Sequence, residues 1–163
     1  KAMASVMRTP GAFSGRMVAM LSAPAAESIA LLLTRLALAG VFWRSGRSKV
    51  VEGSLIEVSE AARYLFEYEY TGLPLLPPGL AATLAIWAET LFPILLVFGL
   101  ATRLSALALL GMTLVIQLFV FPEAWWTVHS LWAAMALVLI SRGGGIASLD
   151  ALLARVRRGG RTA

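Results

Sequence analysis

Five residues could carry chemistry in this chain: Arg35, Lys49, Glu89, Gln117 and His129. They include a cation, an anion, an amide and the chain's single histidine, and four of them sit inside long apolar runs. A charge or amide surrounded by lipid is tolerated only where it faces a protein interior or a wet cavity and meets a partner. Pairing is therefore the first expectation. Arg35 with Glu89 would make a buried ion pair, which could fix helix register or take part in chemistry. Gln117 with His129 could share a cavity, with the imidazole either a helix-packing contact or a group that exchanges a proton near neutral pH. Lys49 falls on the same face as Arg35 and Phe42, at seven-residue spacing. These five are the candidate pocket residues, with Arg35 and Glu89 as the polar core beneath an outward-open mouth. No residue is assigned a catalytic role.

The elements that must position these side chains follow from composition. The chain has 163 residues, 59% hydrophobic and 14% charged, with a mean hydropathy of +0.80. Soluble domains run near 45–50% apolar and about 25% charged, so lipid is the expected solvent. Cysteine is absent, which excludes disulfides, thiolate catalysis and cysteine-ligated metal centres within this chain. One histidine cannot make a histidine-rich metal site, and no metal is expected.

The fold class read from the pattern is an all-α integral membrane protein. Four transmembrane helices form a bundle, and a long outer loop contains a short amphipathic helix. The spans are placed at about 28–46, 80–100, 103–121 and 124–141, so the membrane domain is 28–141. Residues 1–27 read as an N-terminal tail with a short interfacial segment at Met17–Leu21, and 142–163 as a basic C-terminal tail. Each span approaches the roughly 20 residues needed to cross the hydrocarbon. Very short turns at Ala101–Thr102 and Pro122–Glu123 make spans two, three and four antiparallel neighbours. Pro93 should kink span two. In the loop 47–79, Ser54 and Glu57 form a capping box ahead of an apolar stripe at Leu55, Val58, Ala62 and Leu65, which predicts a helix starting there. The run Glu67–Tyr70 reads as a solvated edge that could close over the pocket. The Pro-rich segment 73–78 ends that helix, and Trp125 and Trp126 read as an interfacial belt.

The net charge of +5 does not point to nucleic acid, because the basic residues gather at the termini beside the spans. The end that holds both termini carries nine Lys and Arg, and the other carries four, Arg44, Arg47, Lys49 and Arg63. The positive-inside rule then places both termini in the cytoplasm, in a cell (inner) membrane. Counting at 1.5 Å per residue puts Arg35 roughly 10 Å deep and Glu89 near mid-membrane, which is the basis for expecting them to meet. Gln117 and His129 come out at roughly 7–10 Å below the outer surface.

The segment TRLALAGVFWRSGRSKV (34–50), with an arginine in the span and Ser-Gly-x-x-Lys at its end, resembles the opening of DoxX-family membrane proteins. The loop EYEYTGLPLLPPGLAATLA (67–85), Glu89, GLATRLSALALLGMTLVIQLFVFPEAW (99–125) and His129 continue the resemblance over roughly residues 28–150. The motif residues fall on Arg35, Lys49, Glu89, Arg103, Gln117, Pro122 and His129. The resemblance implies a four-helix membrane bundle. It implies a membrane subunit or accessory of a redox or stress-related system, at most a subunit of a quinone-linked oxidoreductase. A quinone is the one cofactor it suggests, and a soluble or membrane redox partner would have to carry the electrons. The alternative is a non-catalytic scaffold or assembly factor, in which the outer loop or the basic tail recruits a partner. That tail could also bind anionic headgroups, at about 1 kcal/mol per basic residue near the surface. Association into a homo-oligomer stays open. A transporter is disfavoured, since four spans are few and no internal repeat stands out.

Overall fold

The computed structural model describes residues 24–70 and 76–160. The expected interfacial segment at Met17–Leu21 and part of the Pro-rich segment lie outside the described residues. Among those described, the chain is helical and forms no strand. The four spans are Pro24–Arg47, Pro78–Phe98, Thr102–Phe119 and Pro122–Arg142, each long and apolar enough to cross a bilayer. We label the first span α1, the second α3 and the third α4. The fourth begins with a 3-10 turn (Pro122–Ala124) and a π turn (Trp125–His129) before the regular helix α5 (Ser130–Arg142).

The ends of these helices follow from local chemistry. Pro24 and Pro78 occupy first-turn positions, where a missing N–H costs nothing. α1 carries Glu27 in its first turn and Arg44 and Arg47 in its last, each matched to the local end of the helix dipole. α3 stops at Gly99, which takes φ 66 with the Arg35 guanidinium crowded against the spot a side chain would need. A tight turn with Ala101 at φ 48 leads into α4. Gly143 ends α5 with φ 78.

α1 packs along α3 and α4 along α5, and contacts between α3 and α4 and between α1 and α5 close the ring. The buried core draws on every span: Leu38, Ala39 and Phe42, Leu96, Ala106 and Leu109, and Ala136 and Leu139. Lipid tails are as apolar as leucine, so burial of grease alone does not join such helices; small residues that let backbones approach do. The buried alanines and Gly46 serve that role. Large apolar side chains such as Leu104, Leu118 and Leu131 point outward, as lipid-facing residues should.

Two shorter helices cap the bundle. At the loop end, α2 (Glu60–Tyr64) runs into a π turn, Leu65–Glu69. Here the structure corrects the capping-box reading. The Ser54 hydroxyl does accept from the Glu57 amide at 2.9 Å, but it closes a turn. A single antiparallel bridge between Val50 and Val58 then holds the chain extended, and the helix starts only after Ser59, whose side chain accepts from the Ala62 amide. At the opposite, tail end, α6 (Leu149–Gly159) is capped by Ser148. α6 accounts for much of the segment expected as a plain basic tail.

Candidate functional site

Glu89 lies on the inner face of α3 and is 1% exposed. Gly46 of α1 sits directly against it: a Cβ there would stand 3.0 Å from Glu89 Cβ and 3.2 Å from the Glu89 carbonyl oxygen. That close approach fixes the register of α1 on α3. It brings Ser45 and Lys49, one helical turn apart, to the carboxylate. Lys49 Nζ donates to Glu89 Oε1 at 2.9 Å and to Oε2 at 2.8 Å, and Ser45 Oγ donates to Oε1 at 3.0 Å. Lys49 also donates to Ser45 Oγ at 2.7 Å and to the Ser45 carbonyl at 3.1 Å.

The expected Arg35–Glu89 pair does not form. With Gly46 opposite Glu89, Arg35 lies eleven residues away along α1, about 16 Å toward the tail end. The partner of Glu89 is Lys49, and Arg35 does not line the pocket.

Gln117 and His129 do meet, across the short turn between α4 and the fourth span. Gln117 Nε2 donates to the Pro122 carbonyl at 2.6 Å, and Gln117 Oε1 lies 2.7 Å from His129 Nδ1. A carbonyl can only accept, so the amide nitrogen must face Pro122 and the amide oxygen must face the ring. Nδ1 therefore carries the proton. His129 is 3% exposed, and its ring packs against Trp132 with centroids 5.0 Å apart.

Lys49, Ser45, Glu89 and His129 line one cavity of about 400 Å³. Its remaining walls are almost wholly apolar and include Phe42, Met112, Trp132 and the small residues Ala81, Ala85, Ala88 and Ala108. Gln117 stands behind His129 and is not part of the lining. The cavity runs along the seam between α3 and α4. Leu84 and Val115, one on each helix, line it while remaining 50% and 43% exposed, and Leu76 lines it at the loop end at 43%.

Its loop end is walled by Tyr70, which packs edge-on against Phe66 (centroids 5.2 Å) and Phe121 (6.0 Å). Burial, with the nearby Glu69 and Glu89 charges, pushes the Tyr70 phenol above its ordinary value, so it stays protonated. Tyr68, by contrast, is exposed. The loop is tied down by Arg47, which donates to the Ser54 and Leu55 carbonyls (3.2 and 2.7 Å) and to Thr90 Oγ1 (2.6 Å) beneath the Trp43 ring. Trp126, expected at the interface, is 85% exposed.

A family model described as DoxX matches residues 30–130, more than half of the chain. The chain belongs to the DoxX family. A curated relative from Haemophilus influenzae, described as an uncharacterized protein, is 30% identical over 146 residues, covering 80% of this chain and 87% of the relative. No solved structure matches. The DoxX match includes all five candidate residues and stops short of the C-terminal segment that completes the surroundings of Arg35.

In this DoxX-family chain, Arg35 reaches backbone oxygens at the tail end. Nη1 donates to the Leu96 and Val97 carbonyls (3.2 and 3.4 Å), and Nη2 to the Ala147 carbonyl (2.6 Å). The first two belong to the last turn of α3, where the Leu96 carbonyl also accepts from the Gly99 amide at 3.1 Å. Asp150 is close enough for its charge to be felt at Arg35. Its carboxylate accepts from the Ala101 and Thr102 amides, both at 2.8 Å, at the start of α4.

Sequence reasoning missed two of the residues described here. Ser45 was legible as the hydroxyl one turn before Lys49. Asp150 was legible only as a lone acid in a basic tail. Among the described residues, no group of three His, Cys, Asp or Glu is placed to hold a metal.

Proposed function

We propose that this DoxX-family membrane protein holds a small lipid-soluble ligand, of which a quinone is one candidate, in the cavity between α3 and α4. On this reading it serves as a membrane subunit or accessory of a redox or stress-related system, with the loop end facing outside the cell. One observation carries the reading: a mostly apolar cavity of about 400 Å³ ends on the Lys49–Glu89 pair and a buried histidine. Ligand sites are typically concave, mostly apolar and of about 300–1,000 Å³, with a few convergent polar groups. A structural ion pair alone needs no cavity beside it. Electron transfer would require a partner that carries the electrons.

The test is chemical. Protein purified in lipid nanodiscs is extracted with organic solvent, and the extract is analysed by mass spectrometry. We expect a stoichiometric lipid-soluble compound that is lost from Glu89→Gln and His129→Ala proteins that still fold. Wild-type protein that yields only bulk lipid, with both variants indistinguishable from it, contradicts the reading.

A scaffold role has its own support in α6. Leu152, Leu153 and Val156 form an exposed apolar stripe, while Ala151, Ala154 and Arg158 face the groove beside the bundle. If recruitment is the function, deleting 149–159 abolishes it while ligand retention is unaffected.

A further inference from the structure

The polar ends of the cavity differ in what they can still bond. The three protons of Lys49 are directed at Ser45 O, Ser45 Oγ and the Glu89 carboxylate. Ser45 Oγ has given its proton to Glu89 Oε1. An ionised carboxylate has about four acceptor sites, so Glu89 retains capacity to accept. At His129 the chain of bonds from the Pro122 carbonyl through Gln117 fixes the proton on Nδ1. The neutral ring then presents a lone pair at Nε2, an atom with no hydrogen bond among the described residues. The Tyr70 hydroxyl can donate or accept and does not discriminate. Glu89 and His129 thus offer acceptors with no proton to give, while the Tyr70 hydroxyl and the Trp132 indole N–H are the donors on the lining.

From this we propose that the ligand is recognised through a hydroxyl hydrogen: an apolar-bodied phenol or alcohol donates its O–H to Nε2 of His129. If the bound species is of the quinone type, His129 takes a hydroxyl of the reduced form. The inference rests on the ligand-cavity reading above and deepens it. The Gln117 amide is already committed at both atoms, and it acts as a positioning residue that sets the tautomer of the ring.

Two probes that differ only in the hydrogen test this: 4-nonylphenol and its methyl ether, 4-nonylanisole. Binding to protein in nanodiscs is measured by equilibrium partition against empty nanodiscs. We expect the phenol to bind about five- to tenfold more tightly, the worth of one neutral hydrogen bond. The preference disappears in His129→Phe and shrinks in Gln117→Leu. Because the chain has one histidine, a 15N-histidine spectrum of the wild-type protein reports which ring nitrogen is protonated, whatever the variants do. A proton on Nε2 overturns the proposal. Equal binding of the two probes overturns it while leaving the ligand-cavity reading standing. Binding of neither probe removes that reading and the proposal together.

Discussion

At the tail end, Arg35 distributes its guanidinium over three backbone carbonyls from two distant segments. At the loop end, Glu89 is held by one lysine and one serine, with a cavity beside it. Both side chains are 1% exposed, and both interrupt apolar spans. Arginine has five donors and no acceptor; three backbone carbonyls meet the terminal nitrogens of Arg35, while its buried Nε–H meets no partner among the described residues. A carboxylate keeps spare acceptor capacity even after pairing, so it can stay available at a cavity wall. Equal burial therefore says nothing about role; what distinguishes the two sites is that a cavity stands beside Glu89 and Arg35 does not line it. Arg35 is a fastening, and Glu89 borders a cavity.

The strongest challenge to that contrast is Arg35→Leu. It removes three hydrogen bonds from a charged donor, worth about 1.5–3 kcal/mol each. We expect little folded protein by size-exclusion chromatography in detergent, with no specific effect on the cavity in whatever folds. Normal folding with altered ligand retention would reverse the assignment.

Next in size is a double-mutant cycle on Lys49 and Glu89. Lys49→Met alone leaves a buried carboxylate unpaired and should cost about 3–5 kcal/mol. Lys49→Met with Glu89→Leu should recover most of that stability, because apolar replacement of a buried pair is often neutral. Thermal unfolding measures both, and ligand retention should be lost in the double variant despite its stability. If the double variant is as unstable as the single one, the pair is architectural after all.

The smallest effect sharpens the tail end. Asp150→Asn weakens the cap on the Ala101 and Thr102 amides, by about 0.5–2 kcal/mol if the bonds are lost. Hydrogen exchange should rise in α6 and in the 99–102 turn and stay unchanged at Lys49 and Glu89. Faster exchange at the loop end would show that the two regions are not independent.

The four spans were legible because lipid imposes length and apolarity on every residue that faces it. The Gln117–His129 contact was legible for a different reason: a short turn joins their helices, so depth along each helix decides which residues meet. Arg35 and Glu89 sit on helices joined by a loop of about thirty residues, which leaves their register free. That register is set by Gly46 against Glu89, a close approach that no count of depth contains. The first span also begins by Pro24 rather than at Ser28, so depths measured from its start were shifted. The loop helix shows the same limit at shorter range. Ser54 makes the hydrogen bond its motif promises, yet the Val50–Val58 bridge delays the helix to the next serine.

The acceptors of Arg35 lie 61, 62 and 112 residues further along the chain. During synthesis, the first span is therefore complete long before any of them exists. Its arginine has none of these acceptors until α3 is made, and its last bond closes only when the segment after α5 exists. A chain cut before residue 147 would lack the shortest of the three bonds that hold Arg35.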